Sequence, residues 1–151
     1  MARIRQLRTA HGVFETDERR KAQTLATGER QLLESEAKLA ELGNYREAYL
    51  RDFAARAGGG MNAARARDYQ AFLARLDQAL REQTEIVARV RAQRAELLAK
   101  WRGAARHSAA VDRALERGLT EEQRRLERRE QSDADERAQG RRSSGGTRRV
   151  P

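Results

Sequence analysis

Apolar residues recur at alternating spacings of three and four over two long stretches of the chain, the first from Ile4 to Phe53 and the second from Tyr69 to Leu115. The first series includes Ile4, Leu7, Phe14, Leu25, Leu32, Leu39, Leu42, Tyr49 and Phe53; the second includes Tyr69, Leu73, Leu76, Leu80, Val87, Val90, Leu97, Trp101, Val111 and Leu115. This heptad pattern is typical of coiled-coil helices. The only proline is Pro151, so none interrupts either series. The pattern therefore predicts helices at about 3–56 and 62–138.

Two glycine-containing segments punctuate this pattern. Three consecutive glycines, Gly58 to Gly60, favour a tight turn at 57–61, because each costs a helix about 1 kcal/mol relative to alanine. Asn62 follows them and can cap a second helix through its side-chain oxygen. At Gly140 the charged helical pattern gives way to GRRSSGGTRRVP, for which we expect a disordered basic tail over 140–151.

The two apolar series mirror each other about the glycine turn. Folding the chain at residue 59 pairs Tyr49 with Tyr69, Leu42 with Leu76, Leu32 with Val87 and Gly28 with Val90, and it also aligns the polar pairs Ser35 with Gln83 and His11 with Ser108. The glycines alone place the turn, so the agreement of the two series about it is partly independent evidence for a hairpin. We therefore predict an all-α fold: a monomeric, antiparallel two-helix coiled-coil hairpin over 1–139, with a C-terminal helical overhang and a disordered basic tail.

The composition argues against a compact globular domain, a metal or disulfide site, and an enzyme. Charged residues make up 36% of the 151 residues, apolar residues 38% and aromatic residues 5%, which is too polar for one compact core. There is no cysteine and the two histidines are far apart, so we expect no metal, no cofactor and no disulfide. No glycine-rich phosphate loop and no catalytic arrangement of side chains is present, and the sequence predicts that the protein is not an enzyme.

The net charge of +9 does not by itself indicate a nucleic-acid partner. Acidic and basic residues alternate throughout, whereas a DNA-contacting arm would show a block of one sign. We expect solvated helix faces and no nucleic acid. No apolar run is long enough for a membrane span and no signal peptide is recognisable, so the predicted location is the cytoplasm.

The aromatic residues are concentrated beside the turn: Tyr45, Tyr49, Phe53, Tyr69 and Phe72. Three of them fit the apolar series and suit core packing. Tyr45 and Phe72 lie one position off the series on different helices, where both core packing and a partner-binding patch stay open.

These residues resemble the FliJ family, a soluble component of the flagellar type III export apparatus. The resemblance rests on the YxxxY pair Tyr45 and Tyr49, the glycine-rich turn, the segment DYQAFLARLDQAL at 68–80 and KWR at 100–102. It implies a coiled-coil stalk that binds the hexameric export ATPase, promotes its assembly and links it to the cytoplasmic domain of the export gate. It also implies a part in export-chaperone cycling, and peripheral association with the cytoplasmic face of the inner membrane through the export apparatus.

The resemblance also implies a binding site for the export gate. The gate-binding surface of the family corresponds here to six residues on both helices near the turn: Leu42, Tyr45, Tyr49, Phe72, Leu76 and Ala79. The ATPase contact is not specified, and our hypothesis places it in the overhang, including Leu119 and Leu126. Alternative interpretations are the equivalent stalk of a virulence type III secretion system, a general coiled-coil scaffold or chaperone, and a nucleic-acid-binding helical hairpin.

Overall fold

The computed structural model describes residues 2–145, and these form two long helices. Helix α1 covers Ala2–Gly58 and helix α2 covers Ala63–Ser144, with no strand in the described part of the chain. The two helices pack against each other as a hairpin, which confirms the predicted all-α class. Neither helix contains an apolar stretch that could cross a bilayer.

The turn is built as the glycines predict. The amides of Gly59 and Gly60 donate to the carbonyls of Arg56 and Ala57, and Gly60 takes a φ of 90°, a conformation that glycine adopts without steric cost. Asn62 then caps α2, since its Oδ1 accepts a hydrogen bond from the Arg65 amide at 2.8 Å.

Helix α2 extends beyond its predicted end at residue 138. It continues to Ser144, so 140–144 are helical rather than disordered, and the rest of the expected tail, 146–151, lies outside the described residues. A single glycine, Gly140, costs only about 1 kcal/mol in a helix. The hydroxyls of Ser143 and Ser144 donate to the carbonyls of Gly140 and Arg141, and the Gly145 amide also donates to the Arg141 carbonyl.

The described residues divide into two compact units, one of residues 17–104 and one of 2–16 with 105–145. In the first unit the core is a narrow line of side chains between the helices. Leu76 and Val87 are 7% and 4% exposed, and buried Gln83 donates from its Nε2 to the Ser35 carbonyl at 2.9 Å. That bond confirms the predicted Ser35–Gln83 layer and satisfies a buried amide.

Gly28 is where the packing in this unit departs from the predicted pairing. A Cβ placed on Gly28 would lie 2.8 Å from Cδ1 of Leu97, and no atom of the predicted partner Val90 comes within 4 Å of it. Helical side chains lean toward their own N-terminus, so contacts between antiparallel helices join residues of higher number than a simple fold at residue 59 suggests. Gly28 thus provides the space that the Leu97 side chain fills.

The unit of 2–16 and 105–145 shows the same displacement. His11 Nε2 lies 3.3 Å from Oδ1 of Asp112, one turn beyond the predicted partner Ser108, which is itself buried. The ring of Phe14 stacks on His107 at a centroid distance of 5.8 Å. Gly118, which the apolar series did not include, lies beside Ile4 and Leu7.

The contact between Gly28 and Leu97 can be tested with a matched pair of glycine substitutions. Gly43 lies in the same helix and unit, and a Cβ there would meet nothing within 4 Å. Gly43→Ala should therefore stabilise the protein by up to about 1 kcal/mol through helix propensity. Gly28→Ala should give a clearly smaller gain, or a loss, because Leu97 must move. Urea unfolding measures both changes in stability. Equal gains would show that Leu97 does not require the space left by the missing side chain of Gly28.

Candidate functional site

Five aromatic rings form one continuous cluster beside the turn. The closest pairs join the two helices: Tyr49 lies 4.5 Å from Phe72 and 4.9 Å from Tyr69, and Phe53 lies 5.2 Å from Tyr69, measured between ring centroids. Tyr45 completes the cluster, with its ring 6.1 Å from Phe72 in an edge-to-face arrangement. These are distances at which aromatic pairs attract beyond simple burial.

The cluster is only partly covered by the hairpin itself. Tyr45 is 53% exposed and Tyr49 and Phe72 are half-buried, whereas Leu76 is 7% exposed. Leu42 and Ala79, the other two residues of the predicted gate surface, are also half-buried. Tyr45 and Phe72 therefore offer apolar surface to a partner, while Leu76 lies in the core.

A hydrogen-bonded group that the sequence analysis did not single out holds the turn side of the cluster. Tyr69 Oη donates to Oδ2 of Asp52 at 2.7 Å, and Arg56 Nε lies 3.3 Å from the other carboxylate oxygen. The bond from Tyr69, with a smaller effect of Arg56, lowers the pKa of Asp52 below its usual 3.8, and the same bond raises the pKa of Tyr69. The sequence signal was the spacing of four between Asp52 and Arg56.

An ion pair joins the helices on the other side of Tyr45. Nε of Arg46 donates to Oδ1 of Asp77, with both side chains partly exposed. Arg46 lies four residues after Leu42 and three before Tyr49, so it continues the spacing of the apolar series, and its guanidinium reaches the facing helix. The aromatic cluster thus lies between two polar links that connect α1 with α2.

The end of α2 presents a different surface. Every residue from Gln123 to Gly145 is exposed, and the predicted contact residues Leu119 and Leu126 are 39% and 48% exposed. An open groove begins beside this segment. Its lining includes Ile4, Leu7 and Gly118 together with Arg3, Arg117, Arg125, Arg128, Glu121 and Glu122. This surface combines apolar area with a mainly basic rim. Within 2–145, no three histidine or acidic side chains group so as to hold a metal ion.

The sequence matches a model of a known protein family over nearly its whole length. The family model described as Flagellar FliJ protein matches residues 4–146, which includes both helices and the turn between them. The chain belongs to the FliJ family. No curated protein and no solved structure gave a significant match. Membership of the FliJ family makes the chain a component of the flagellar export apparatus, in a family of export components rather than enzymes.

The Tyr69–Asp52 bond predicts a measurable titration. Tyr69→Phe should raise the pKa of Asp52, because the largest cause of its lowering is lost, and Arg56→Ala should raise it less. The pH dependence of the Asp52 carboxyl ¹³C shift, followed over about pH 2–6, measures both. Because the pKa is lowered in the folded protein, the stabilisation from this group is present above the unfolded value and is lost as pH falls through the folded one. An unchanged pKa in Tyr69→Phe would contradict the bond.

Proposed function

We propose that this FliJ-family protein links the hexameric flagellar export ATPase to the cytoplasmic domain of the export gate, and that it takes part in the cycling of export chaperones. In this proposal the aromatic cluster beside the turn binds the gate, and the unit of residues 2–16 and 105–145 binds the ATPase. The protein would act at the cytoplasmic face of the inner membrane without entering it. The family match and the exposed aromatic surface support this function.

The gate contact rests on the exposure of Tyr45. A tyrosine with half of its surface in water, packed edge-on against a half-buried Phe72, contributes little to the hairpin core. Aromatic side chains of this kind are enriched among the residues that dominate the energy of protein–protein interfaces. The Tyr69 hydroxyl is held by its bond to Asp52 and the rings pack on one another across the helices, so less conformational freedom is lost on binding than for mobile side chains.

The ATPase contact rests on the exposed end of α2. An isolated helical segment with Leu119 and Leu126 as its large apolar side chains has marginal stability, because helices depend mainly on tertiary packing. A partner that binds the folded segment stabilises it by mass action. A helix that touches several subunits of a ring at once favours the closed ring for the same thermodynamic reason, which accounts for promotion of ATPase assembly.

The gate contact is tested by the double substitution Tyr45→Ala with Phe72→Ala. These rings are half-buried or more exposed, so the melting temperature should fall only modestly. The affinity for the purified gate domain, measured by calorimetry, should fall by at least about 30-fold, while stimulation of the ATPase persists. Val87→Ala is the control, since Val87 is 4% exposed and its truncation should lower stability and both activities together.

Two outcomes would contradict the gate contact. If the double variant unfolds as readily as Val87→Ala, the two rings stabilise the core of the hairpin and do not form a binding surface. If it stays folded and binds the gate domain as well as the unsubstituted chain does, the predicted surface is wrong for this protein.

The ATPase contact is tested by Leu119→Ser with Leu126→Ser. Both side chains are exposed, so helix content and melting temperature should hardly change. Stimulation of the purified ATPase should fall by about tenfold or more if these leucines are central to the contact. Leu33→Ser, at a residue 66% exposed in the other unit, is the matched control. Full stimulation by the double variant would place the ATPase contact elsewhere.

A further inference from the structure

Helix α2 carries a straight row of arginines on one face of the unit of 2–16 and 105–145. The arginines recur at alternating spacings of seven and four residues, which together make a repeat of eleven. Eleven residues complete about three turns of an α-helix, so such a repeat stays on one line of the helix, and the side chains lie within about 60° of one another. The members of this arginine row are Arg106, Arg113, Arg117, Arg124 and Arg128.

The arginine row faces away from α1. Buried Ser108 and half-buried Leu115 lie about half a turn around α2 from it. All five arginines are exposed, and within residues 2–145 none of them forms an ion pair or a side-chain hydrogen bond. Elsewhere an arginine does pair with an acid four residues away, as Arg56 does with Asp52. The five guanidinium groups are therefore available to an external anion.

Acidic residues of the same stretch lie beside the arginine row. Glu121 and Glu127 come nearest to it, one along each edge, and Asp135 lies in line with it but seven residues after its end. Small side chains, Ala110 and Thr120, occupy the line between the arginines. An extended arginine reaches farther from the helix axis than a glutamate does, so the outermost groups on this face are positive. Charges that alternate along the chain are thus sorted by face on the helix.

The geometry of the arginine row fits a flat anionic surface. From Arg106 to Arg128 it is about 33 Å long at 1.5 Å per residue. A plane of phosphates can contact all five side chains at once, whereas the phosphates of a duplex wind around an axis and meet a straight row only where a strand crosses it. The row contains no aromatic side chain that could stack on a base, and no large apolar side chain that could enter hydrocarbon. Guanidinium groups bind phosphate oxygens in pairs.

We propose that the arginine row binds the chain to the surface of a bilayer that contains anionic phospholipids, with α2 lying flat and the guanidinium groups on the headgroup phosphates. Each basic residue near such a surface strengthens binding by about fivefold, so five give a reversible, electrostatic association. Leu119 and Leu126, the residues proposed for the ATPase contact, lie about half a turn around α2 from the row. The inference therefore depends on neither of the two protein contacts proposed above.

The test compares two double substitutions that differ by one residue in position. Arg124→Gln with Arg128→Gln removes two charges from the row, and Arg125→Gln with Arg129→Gln removes two charges at the same spacing about 100° around the helix. All four side chains are exposed, so circular dichroism and the melting temperature should stay the same. The two variants have the same net charge, so a difference between them reports the position of the charges.

Binding is measured by cosedimentation of the full chain with lipid vesicles. The unsubstituted chain should sediment with phosphatidylcholine vesicles that contain about one third phosphatidylglycerol, and not with pure phosphatidylcholine. Arg124→Gln with Arg128→Gln should weaken this binding by about 25-fold, whereas Arg125→Gln with Arg129→Gln should weaken it by at most about threefold. Raising the salt from about 0.05 to 0.2 M should weaken the binding of the unsubstituted chain, because salt screens exposed charges.

Four results would overturn the inference. The first is no sedimentation with the anionic vesicles, and the second is equal losses in the two double variants, which would assign binding to net charge and not to the row. The third is binding to duplex DNA or RNA that depends on Arg124 and Arg128 while vesicle binding does not. The fourth is loss of ATPase stimulation in Arg124→Gln with Arg128→Gln at unchanged vesicle binding, which would assign the row to the ATPase. Vesicle binding uses the chain alone, so failure of the gate or ATPase contacts would not affect this test.

Discussion

Burial of apolar side chains between α1 and α2 is the interaction on which the other features depend. Neither helix is apolar enough to form a core alone, and most helical stability in proteins comes from packing of such a stripe rather than from intrinsic propensity. In residues 17–104 the stripe buries Leu76 and Val87 and places the Gln83 amide against a backbone carbonyl. The core of this unit is a narrow line of side chains between the helices.

A core this narrow leaves the flanks of the helices to define the binding surfaces. Where charges pair across the helices, as in Arg46–Asp77 and Glu36–Arg91, ion pairs cover that flank of the interface. Where aromatic or aliphatic side chains occupy the flank, as at Tyr45 and Ile86, apolar area stays in water. Exposed pairs of charges add little stability, so the distribution of such pairs bears more on where a partner can bind than on whether the hairpin folds.

The aromatic cluster shows how fold and proposed function share residues. Tyr49 and Tyr69 pack across the helices, while Tyr45 extends the same cluster into solvent. The Tyr69–Asp52 bond adds a directional contact between the helices beside the turn. Rings that are held in this way bind a partner with less loss of side-chain freedom than mobile ones.

The heptad series, the glycines and Asn62 determined the helices, the turn and the Ser35–Gln83 layer, because these depend on local propensity and on the period of the apolar pattern. Only the tertiary structure decided the pairing of Gly28 with Leu97 and of His11 with Asp112, since the lean of side chains toward each helix N-terminus shifts contacts between antiparallel helices. Helix α2 runs past its predicted end into the expected tail because a single glycine, Gly140, is too weak a signal to end a helix. The Asp52–Tyr69 bond and the difference between the ionic and apolar flanks likewise depended on the facing helix. The sequence alone does not show which residue a charged side chain pairs with, or which flank of the hairpin it lies on, until both helices are in place.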